Sequence, residues 1–343
     1  MKNVLLIGAS GGTGTYLTKY LSDNNYSVCA TGNSPRDSDH FNLPNVSYLS
    51  LDITRKEQFS KLPTEQFDCV VLLAGLMPAR MEGYDPLPYV DVNITGTLNV
   101  LEYCRENNIR KIIFTQSHSD VYGHWNTNKQ IPADAERSLN LKGDHAMYII
   151  SKCTAVDMLE HYYTEYGIRN VVLRLPTIYS YKPNATYYVD GVVQDMSFML
   201  LVKKACLGEE IEIWGDPGIQ KDIVYNKDFI RIVKGAIESE TARGMYNVGT
   251  GVGTSLEDQI RGIIEVFSPE GNRSNVVYRP EKRSQASYLY DISRTQRDLN
   301  YKPKYMYMDM LRDMKAIKFE HLEKKNRLNR KVGTNNLKAE QVW

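Results

Sequence analysis

Tyr148 and Lys152 are candidates for proton transfer, because they lie four residues apart in the stretch HAMYIISKC. If this stretch is helical, the two side chains share one face of the helix. A phenol that gives and takes a proton near neutral pH needs a lowered pKa, and a lysine ammonium one turn away lowers it. Since the chain has 24 tyrosines, such a pair is expected by chance, and the motifs around it decide its meaning.

The stretch FTQSHSDVYG, Phe114 to Gly123, has the pattern of a buried strand followed by an active-site loop. Its candidate hydrogen-bond donors are Ser117, His118 and Ser119, and Asp120 adds a carboxylate. A small hydroxyl is the expected donor to a reacting oxygen, and a neutral imidazole donates in the same way although it is bulkier. Asp120 is either a proton-abstracting base, which requires a pKa raised by burial, or an Asx turn that bonds the loop backbone.

The stretch GASGGTG follows the first apolar run and leads directly into a helical pattern. Its G-x-x-G-x-x-G spacing allows a tight turn, a close approach of the backbone to a pyrophosphate, and close packing of helix on strand. This position between a strand and a helix predicts a dinucleotide-binding turn. The contacts expected from the turn are Gly8, Ser10, Gly11, Gly12, Thr13 and Gly14.

The second strand does not end in the carboxylate that binds the ribose 2′-hydroxyl of NAD. In SVCATGNSPR a glycine and Asn33 take that place, and Ser34 and Arg36 follow. A 2′-phosphate could bind among these three polar residues, which favours NADP slightly over NAD, although an arginine in a polar turn is also an ordinary feature of a loop. Asp52 in LDIT either accepts a bond from the adenine amino group or caps the helix that follows.

Short apolar runs alternate with amphipathic stretches through the first half of the chain. The runs are Val4 to Ile7, Val28 to Thr31, Cys69 to Leu73, Lys111 to Thr115 and Val171 to Leu175. The helical stretches include Gly14 to Asn24, Asp91 to Asn107 and Met147 to Tyr166. This alternation predicts an α/β fold of Rossmann type, with a doubly wound parallel sheet and right-handed crossovers.

The second half of the chain is less regular, and after Thr177 the sequence becomes rich in Tyr, Pro and Asn. We expect an NAD(P)-binding domain over residues 1–177, to which some later segments return. A smaller C-terminal α/β lobe for the substrate is expected mainly over residues 178–314. The polar remainder, residues 315–343, is expected to be a helix that frays into a tail.

The composition is that of a globular protein, with 343 residues, 42% of them hydrophobic, and a formal net charge of +1. This charge gives no electrostatic sign of nucleic-acid binding, so a small-molecule partner is expected. The five scattered cysteines predict reduced core thiols rather than disulfides or a metal site. The first residues lead directly into a short strand without an apolar segment long enough for a signal peptide or membrane span, so we expect a cytoplasmic protein.

From Met1 to about Pro303, the motifs resemble those of the extended short-chain dehydrogenases/reductases. This family includes UDP-galactose 4-epimerase, dTDP-glucose 4,6-dehydratase and GDP-mannose 4,6-dehydratase. The matching stretches are GASGGTG, LDI, NITGTLNVLEYC, DVYG, the Tyr and Lys of HAMYIISKC, LRLPTIYS, KDIVYNKDF, YNVGTG and DISRTQRDLNYKP. The resemblance implies an NAD(P)-dependent enzyme that acts on a nucleotide-linked sugar.

The resemblance also implies roles for individual residues. Tyr148 would be the acid/base that touches the sugar hydroxyl or ketone, and Lys152 would hold the nicotinamide ribose and adjust the pKa of Tyr148. Further cofactor contacts would be Asp52, Ile53, Leu73, Ala74, Gly75, Asn93 and Leu175. Thr177, Lys221 and Arg283 would lie near the substrate phosphates. Because Lys221 replaces the arginine usual at its position, it keeps the charge but loses the bidentate hydrogen bonds.

Counting back from Tyr122, the catalytic Ser or Thr of the family falls on His118. Three interpretations stay open: His118 takes this role, Ser117 or Ser119 takes it through a shifted loop, or full activity has been lost. In the GDP-mannose dehydratases this loop reads Thr-Ser-Glu, so Asp120 could replace the glutamate base of a dehydratase.

The leading hypothesis is a C4 epimerase. It would oxidise a nucleotide-linked hexose to a 4-keto intermediate by hydride transfer to NAD(P) and return the hydride to the other face. The alternatives are a 4,6-dehydratase that uses Asp120, an NADPH-dependent reductase of 4-keto sugar nucleotides, and a non-catalytic NAD(P)-sensing or scaffold protein. By analogy with the family, we expect a homodimer formed through the helices at Asn93 to Asn107 and Tyr148 to Tyr166.

Overall fold

The computed structural model describes residues 1–35, 41–63, 66–78, 84–143, 145–182, 186–189 and 192–318. The strands are β1 (Asn3–Ile7), β2 (Ser27–Gly32), β3 (Val46–Ser50), β4 (Cys69–Leu72), β5 (Lys111–Ser117), β6 (Gln130–Ile131), β7 (Arg169–Leu175), β8 (Ile178–Tyr179), β9 (Thr186–Val189), β10 (Val192–Asp195), β11 (Ile211–Trp214), β12 (Gln220–Asp222), β13 (Val224–Tyr225), β14 (Gly244–Asn247), β15 (Gly253–Ser255), β16 (Val276–Arg279) and β17 (Leu289–Tyr290).

The α-helices are α1 (Gly12–Asp23), α2 (Leu87–Tyr89), α3 (Gly96–Glu106), α4 (His145–Tyr166), α5 (Ser197–Leu207), α6 (Asn226–Glu238), α7 (Leu256–Phe267) and α8 (Ser293–Asp298). Residues 307–318 are also helical. Short 3₁₀ segments cover Lys56–Lys61, His118–Asp120 and Tyr122–His124. Val90–Thr95 has π-helical geometry and joins α2 to α3 in one continuous helix.

Seven strands form one parallel sheet in the order β14-β7-β5-β4-β1-β2-β3. From β1 the chain adds β2 and β3 on one side, and then crosses over to add β4, β5, β7 and β14 on the other. The strand order therefore reverses at β1, where a crevice opens at the carboxyl ends of β1 and β4. The predicted Rossmann-type, doubly wound fold is confirmed.

The central strands are apolar on both faces because helices cover both faces of the sheet. In β1, Val4 and Leu6 belong to the hydrophobic cluster that includes residues of α1 and α6. The alternate residues Leu5 and Ile7 belong to a second cluster, with residues of α3 and α4. This arrangement fixes the positions of the glycine-rich turn before α1 and of the Tyr148 helix, α4, relative to the same sheet.

A third hydrophobic cluster contains no residue of this sheet. Its buried residues come from α5, α7, β11 and the helix at 307–318, among other segments, and include Val202, Ile211, Ile263 and Leu311. These elements follow residue 177, whereas β14 returns to pair with β7 and α6 packs against the sheet. The domain boundaries stay predictions, and residues 319–343 of the expected tail lie outside the described residues.

The five cysteines all lie within the described residues and none is in a disulfide; four are buried and Cys206 is half-buried. In the part of the chain that the structure describes, no helix is long and apolar enough to cross a membrane. The described residues also bring no three His, Cys, Asp or Glu side chains together as metal ligands.

Candidate active site

The glycine-rich turn and the segment after β4 are in close contact at the crevice. Gly8 has a φ of +93°, which favours glycine, and a Cβ atom there would lie 2.5 Å from the backbone nitrogen of Ala74. A Cβ atom on Gly14 would lie 2.6 Å from the carbonyl oxygen of Ala9, so α1 packs closely on the turn. Because α1 begins at Gly12 without a side-chain cap, its first backbone N–H groups can bind an anion. These features fit a dinucleotide pyrophosphate.

The end of β2 carries no carboxylate over the described residues 32–35. Gly32 lies under two side chains, since a Cβ atom there would be 2.5 Å from Ser10 Oγ and 2.7 Å from the Tyr48 hydroxyl oxygen. The Tyr48 ring stacks on Phe41 with centroids 4.7 Å apart. Position 32 therefore has no room for a side chain, and a side chain that binds the adenosine ribose must come from a residue that follows Gly32 in the sequence.

Asn33, Ser34 and Arg36, which follow β2 in the sequence, are expected to bind a 2′-phosphate. Asn33 is exposed and Ser34 is half-buried. The Ser34 carbonyl oxygen accepts a hydrogen bond of 2.6 Å from the Tyr48 hydroxyl. Arg36 lies outside the described residues, so the preference for NADP stays a prediction.

Asp52 bonds a local turn and does not cap the 3₁₀ segment that follows, whose N-cap is Arg55 without a side-chain cap bond. The Asp52 Oδ1 atom accepts bonds from the Thr54 backbone nitrogen at 3.0 Å and the Thr54 hydroxyl at 2.8 Å, just before the 3₁₀ segment Lys56–Lys61. The neighbouring Ile53 is buried against α3, where a Cβ atom on Gly96 would lie 2.7 Å from its Cδ1. The capping interpretation is therefore wrong, because Oδ1 is bonded within the turn to Thr54. The adenine contact stays a prediction.

Tyr148 and Ser117 are brought together by α4 and the end of β5. The Ser117 hydroxyl is close enough to the Tyr148 side chain to favour its phenolate. Burial raises the pKa of Tyr148 to about 12, and this interaction with Ser117 acts in the opposite direction. The lowered pKa expected for Tyr148 is therefore not found in the protein alone, because burial outweighs the favourable interactions of its phenolate.

Lys152 is buried one turn along α4, with 5% of its surface exposed. Its Nζ atom lies 3.9 Å from the centre of the Phe114 ring and 3.8 Å from where a Cβ atom of Gly75 would stand. Burial lowers the pKa of Lys152 to about 7. The ammonium group thus lies between α4 and the segment after β4, beside the crevice where Leu73, Ala74 and Gly75 are expected to contact a cofactor.

Asn93, in the π-helical segment, connects that same segment to α4. Its Oδ1 atom accepts a 2.8 Å bond from the Leu76 backbone nitrogen, and its Nδ2 atom donates a 3.0 Å bond to Ser151 Oγ. Ser151 in turn donates a 2.8 Å bond to the Tyr148 carbonyl oxygen. Asn93 therefore positions α4 against the crevice, and π segments often occur at functional sites for this kind of placement.

His118 lies in an aromatic cluster rather than beside Tyr148. Its ring centre is 4.6 Å from that of Trp125 and 4.7 Å from that of Tyr288, and its Nδ1 is 2.8 Å from the Tyr290 hydroxyl oxygen. Burial is the main reason that the pKa of His118 is lowered to about 3, so the ring is neutral at physiological pH. The loop geometry favours the interpretation in which a neighbouring serine is the donor.

The 3₁₀ turn His118–Asp120 explains why Ser117 reaches Tyr148. Ser117 caps this turn, because its Oγ accepts a 3.2 Å bond from the Ser119 backbone nitrogen. The two serine hydroxyl oxygens are also 3.2 Å apart. Ser119 therefore supports Ser117, while the turn carries His118 towards the aromatic cluster.

Asp120 is fully buried in an ion pair. Its two carboxylate oxygens lie 2.9 and 3.1 Å from Arg174 Nε, and Arg174 Nη1 donates to Asn247 Oδ1 at 2.9 Å. Burial raises the pKa of Asp120 and the Arg174 guanidinium opposes the increase. The structure therefore gives Asp120 a partner in the interior, and does not place it as a free base beside Tyr148.

Two of the three residues expected near the substrate phosphates, Thr177 and Lys221, approach Tyr288. The Thr177 side chain is close enough to the Tyr288 hydroxyl to act against the rise that burial causes in its pKa, and Lys221 Nζ lies 5.8 Å from the Tyr288 ring centre. Lys221 is also hydrogen-bonded to Gln285. Arg283 is exposed, and the described residues offer it no ion pair. Thr177 and Lys221 thus share a surface with the His118 cluster, and the structure does not bring Arg283 to it.

Sequence reasoning missed several residues that build this site. Ser151 had no distinguishing motif, and Arg174 looked like an ordinary residue of an apolar strand. The aromatic partners of His118 come from the separate stretches YGHW and SYLYD, which only the fold brings together. The residues that sequence reasoning missed are therefore Ser151, Arg174, Trp125, Tyr288 and Tyr290.

The model of the NAD dependent epimerase/dehydratase family matches residues 4–249 of the 343-residue chain. The chain is therefore a member of the NAD-dependent epimerase/dehydratase family. This match confirms the resemblance to the extended short-chain dehydrogenases/reductases.

Individual relatives agree with this assignment. The chain is 25% identical over 302 residues to a putative UDP-glucose 4-epimerase of Methanocaldococcus jannaschii, covering 88% of this chain and 93% of that protein.

Two solved structures share the fold. The UDP-glucose 4-epimerase of Thermotoga maritima with UDP-glucose has a TM-score of 0.73 at 23% identity, covering 94% and 99% of the two chains. The dTDP-glucose 4,6-dehydratase of Bacillus anthracis with NAD has a TM-score of 0.72 at 18% identity, covering 94% and 98%.

Proposed function

We propose that this protein is an NAD(P)-dependent nucleotide-sugar epimerase that acts at C4 of a nucleotide-linked hexose through a 4-keto intermediate. The observation that carries the proposal is that α4 places Tyr148 and Lys152 one turn apart, with the Lys152 Nζ beside Gly75, at the crevice formed by the glycine-rich turn and the segment after β4. The Ser117 hydroxyl is close enough to Tyr148 to favour its phenolate. A proton-transfer pair next to a dinucleotide site is what oxidation of a secondary alcohol requires.

Tyr148 is the group that takes the proton from the C4 hydroxyl and gives it back, and a bound cationic nicotinamide together with the Lys152 ammonium would lower its pKa for this step. Ser117 donates to the reacting oxygen and keeps the Tyr148 hydroxyl oriented. Lys152, at the floor of the crevice, holds the nicotinamide ribose. The bound nicotinamide supplies a hydride acceptor and donor for C4. Rotation of the 4-keto sugar between the two hydride transfers would change the face that is reduced.

The residues proposed to hold the cofactor follow the crevice from the glycine-rich turn to the end of β7. They are Gly8, Ser10, Gly11, Gly12, Thr13, Gly14, Asn33, Ser34, Arg36, Asp52, Ile53, Leu73, Ala74, Gly75, Asn93, Tyr148, Lys152 and Leu175. A dinucleotide with NADP slightly preferred over NAD remains our proposal, since no carboxylate stands at residues 32–35 to repel a 2′-phosphate. Calorimetric titration with both dinucleotides tests this preference, and tighter binding of NAD would contradict it.

The nucleotide-sugar phosphates are proposed to bind near Thr177 and Lys221, with Arg283 reaching them only if its exposed side chain turns inward. A dehydratase that uses Asp120 is less well supported, because the carboxylate is fully buried against Arg174.

A location in the cytoplasm and a homodimer stay predictions from the sequence.

The test is mass spectrometry and NMR of the products formed from UDP-, dTDP-, GDP- and CDP-hexoses and their 4-keto-6-deoxy forms, with and without NADPH. An unchanged mass with a new C4 stereoisomer is the expected result. Loss of water would replace the epimerase by a dehydratase, and gain of two hydrogens only with NADPH would replace it by a reductase. Cofactor binding without turnover across the panel would indicate a sensing or scaffold protein.

A further inference from the structure

The aromatic cluster around His118 lies between the two ends at which a nucleotide sugar is proposed to be held. His118 directly follows Ser117, which approaches Tyr148, the group proposed to react at C4. Lys221, proposed to bind the substrate diphosphate, lies close to the cluster, since its charge adds to the effect of burial in lowering the pKa of His118. Because C1 and C4 are opposite atoms of a hexose ring, a hexose held at both ends would lie along this cluster.

Trp125 contributes a buried donor without an acceptor to the cluster. Its ring centre is 4.6 Å from that of His118 and 5.5 Å from that of Tyr288. Its Nε1 atom is shielded from solvent and has no hydrogen-bond partner in the part of the chain that the structure describes. In contrast, Trp214 Nε1 donates a 2.6 Å bond to Glu212. Since a buried N–H group without an acceptor is unfavourable, Trp125 is suited to donate to a ligand.

His118 supplies a second N–H group. Its Nδ1 atom is 2.8 Å from the hydroxyl oxygen of Tyr290, a fully buried residue. A buried phenol needs an acceptor for its proton and a neutral imidazole has one unprotonated nitrogen, so Tyr290 donates to Nδ1 and the ring proton of His118 is on Nε2. Among the described residues Nε2 has no hydrogen-bond partner, and the His118 side chain is half-buried.

The unused ring nitrogens of the cluster are thus both donors. The hydroxyl groups are already engaged, because the Tyr288 hydroxyl approaches Thr177 and the Tyr290 hydroxyl bonds His118. An indole N–H and an imidazole Nε2–H can donate but cannot accept. An oxygen that only accepts, as in an amide carbonyl or a carboxylate, therefore fits these groups better than a hydroxyl, which must also place its own proton.

We propose that Trp125 Nε1 and His118 Nε2 bind an acyl oxygen of the hexose, so that the enzyme selects nucleotide-linked hexoses with an N-acyl group at C2 or a carboxylate at C6. Both positions lie to the side of the line from C1 to C4. This inference rests on the proposed function, since it assumes that the hexose spans Tyr148 and Lys221. Trp125 and His118 bind the substituent in this scheme and take no part in proton transfer.

Tyr122 is the exposed member of the cluster. Its ring centre is 4.9 Å from that of Trp125, and 41% of its surface is exposed. Since solvent does not reach Trp125 Nε1, the acyl group enters by displacing the Tyr122 ring, which can move without opening the hydrophobic core.

The test is steady-state kinetics of the full-length wild type with a hexose, its 2-acetamido derivative and its uronic acid, carried on the nucleotide that the product panel identifies. One of the two acyl sugars is expected to have a kcat/KM at least about tenfold higher than the plain hexose, the contribution of one or two added hydrogen bonds. A preference for the acetamido sugar assigns the oxygen to an amide, and a preference for the uronic acid assigns it to a carboxylate. Equal or higher kcat/KM for the plain hexose would overturn the inference.

Trp125→Phe keeps an aromatic ring and removes the N–H group. We expect it to lower kcat/KM for the preferred acyl sugar by about tenfold, mainly through KM, and to leave the plain hexose unchanged. Trp214→Phe is the matched control, because it removes an indole N–H whose acceptor is Glu212, and it should change none of the three values. An equal loss for all three sugars in Trp125→Phe would contradict the selection of an acyl group.

The double variant His118→Phe, Tyr290→Phe tests the second donor. It removes Nε2–H without leaving the buried Tyr290 hydroxyl short of an acceptor, and it should also lower kcat/KM for the acyl sugar alone. If Trp125→Phe fails to fold, the wild-type preference and this double variant still decide the question. Thermal unfolding without ligand, unchanged in a variant, would show that its loss of kcat/KM is not a loss of folding.

The same measurements separate this inference from the proposed function. A wild-type protein that converts no nucleotide sugar contradicts the proposed function itself. A wild-type protein that epimerises the plain hexose at least as well as both acyl sugars contradicts only the role of Trp125 and His118.

Discussion

At the scale of single residues, the identity of the hydrogen-bond donor to the reacting oxygen depends on which side chain of the loop after β5 reaches Tyr148. The Ser117 hydroxyl is close enough to Tyr148 to favour its phenolate, whereas His118 bonds Tyr290. We expect Ser117→Ala to lower kcat by about 100-fold, the cost of losing one donor to a reacting oxygen. Steady-state kinetics with the nucleotide sugar that proves active would measure this.

Two variants control the assignment of Ser117. Tyr148→Phe is expected to abolish turnover and leave cofactor binding intact, which confirms that the assay reports proton transfer. Ser119→Ala should lose less activity than Ser117→Ala, since Ser119 supports its neighbour. A larger loss in kcat for His118→Ala than for Ser117→Ala, with folding unchanged, would reverse the assignment.

The half-buried imidazole of His118, enclosed by aromatic rings, predicts a pH dependence of stability. Its pKa is lowered to about 3, so between the ordinary histidine value of about 6.5 and about 3 the unfolded chain binds a proton that the folded protein does not. The contribution of His118 to stability is therefore complete above pH 6.5 and falls with pH below it, by at most about 1.4 kcal/mol per pH unit. Above about pH 6.5 this site should produce no pH dependence.

Urea unfolding of the wild type and of His118→Gln between pH 5 and pH 8 checks this expectation. The free energy of unfolding of the wild type should fall more steeply below pH 6.5 than that of the variant, which has no imidazole to protonate. Parallel pH profiles would mean that His118 titrates normally in the folded protein, and so that it is not held neutral in the aromatic cluster.

The sequence could identify this loop but could not orient its side chains. Counting back from Tyr122 places the family's hydroxyl on His118, and this counting contains no information on the 3₁₀ turn that Ser117 caps. The ring that bonds His118 belongs to Tyr290, which is 172 residues away along the chain. Contacts of this kind depend on the completed fold, and a local pattern does not encode them.

At the scale of elements, periodicity predicted the strands and helices of the sheet well. The run Lys111 to Thr115 corresponds to β5, and Met147 to Tyr166 to α4, with differences only at their ends. β5 is long and buried, so its apolar run is strong, whereas α4 is recognised by its length. The π segment Val90–Thr95 was not predicted, because one extra residue in a helical turn hardly changes the pattern of apolar residues.

The Asp120–Arg174 ion pair joins several of these elements. Arg174 on β7 bonds Asp120 after β5, Asn247 on β14, and the Ala133 carbonyl oxygen. Asp120→Asn would leave a buried guanidinium without its carboxylate, so we expect the free energy of unfolding to fall by about 3–5 kcal/mol. Urea unfolding at pH 7 would measure the change.

A matched surface pair gives the comparison. Arg137 and Asp157 are 2.6 Å apart, but the Asp157 side chain is 65% exposed, so Asp157→Asn should cost no more than about 1 kcal/mol. Asp120→Asn protein that keeps its stability and loses only turnover would contradict the structural role, and would restore Asp120 as the base of a dehydratase.

At the scale of the whole molecule, α3 and α4 present apolar side chains to solvent. Both helices pack on the same face of the sheet, and they also touch each other. Leu98 is 38% exposed and Ile150 is 36% exposed. A two-fold contact through these helices would bury both residues, and would need about 800 Å² from each subunit to be stable.

We therefore expect the wild-type protein to be a dimer in solution and the double variant Leu98→Glu, Ile150→Glu to be a monomer. Two new carboxylates from each subunit would meet in an apolar contact, where unpaired charge is strongly unfavourable. Light scattering after size-exclusion chromatography would give the masses. Val252→Glu, at a residue that is 52% exposed and outside α3 and α4, should leave the dimer intact. A wild-type monomer would contradict the expected dimer, and a dimer that only Val252→Glu dissociates would place the contact between subunits outside α3 and α4.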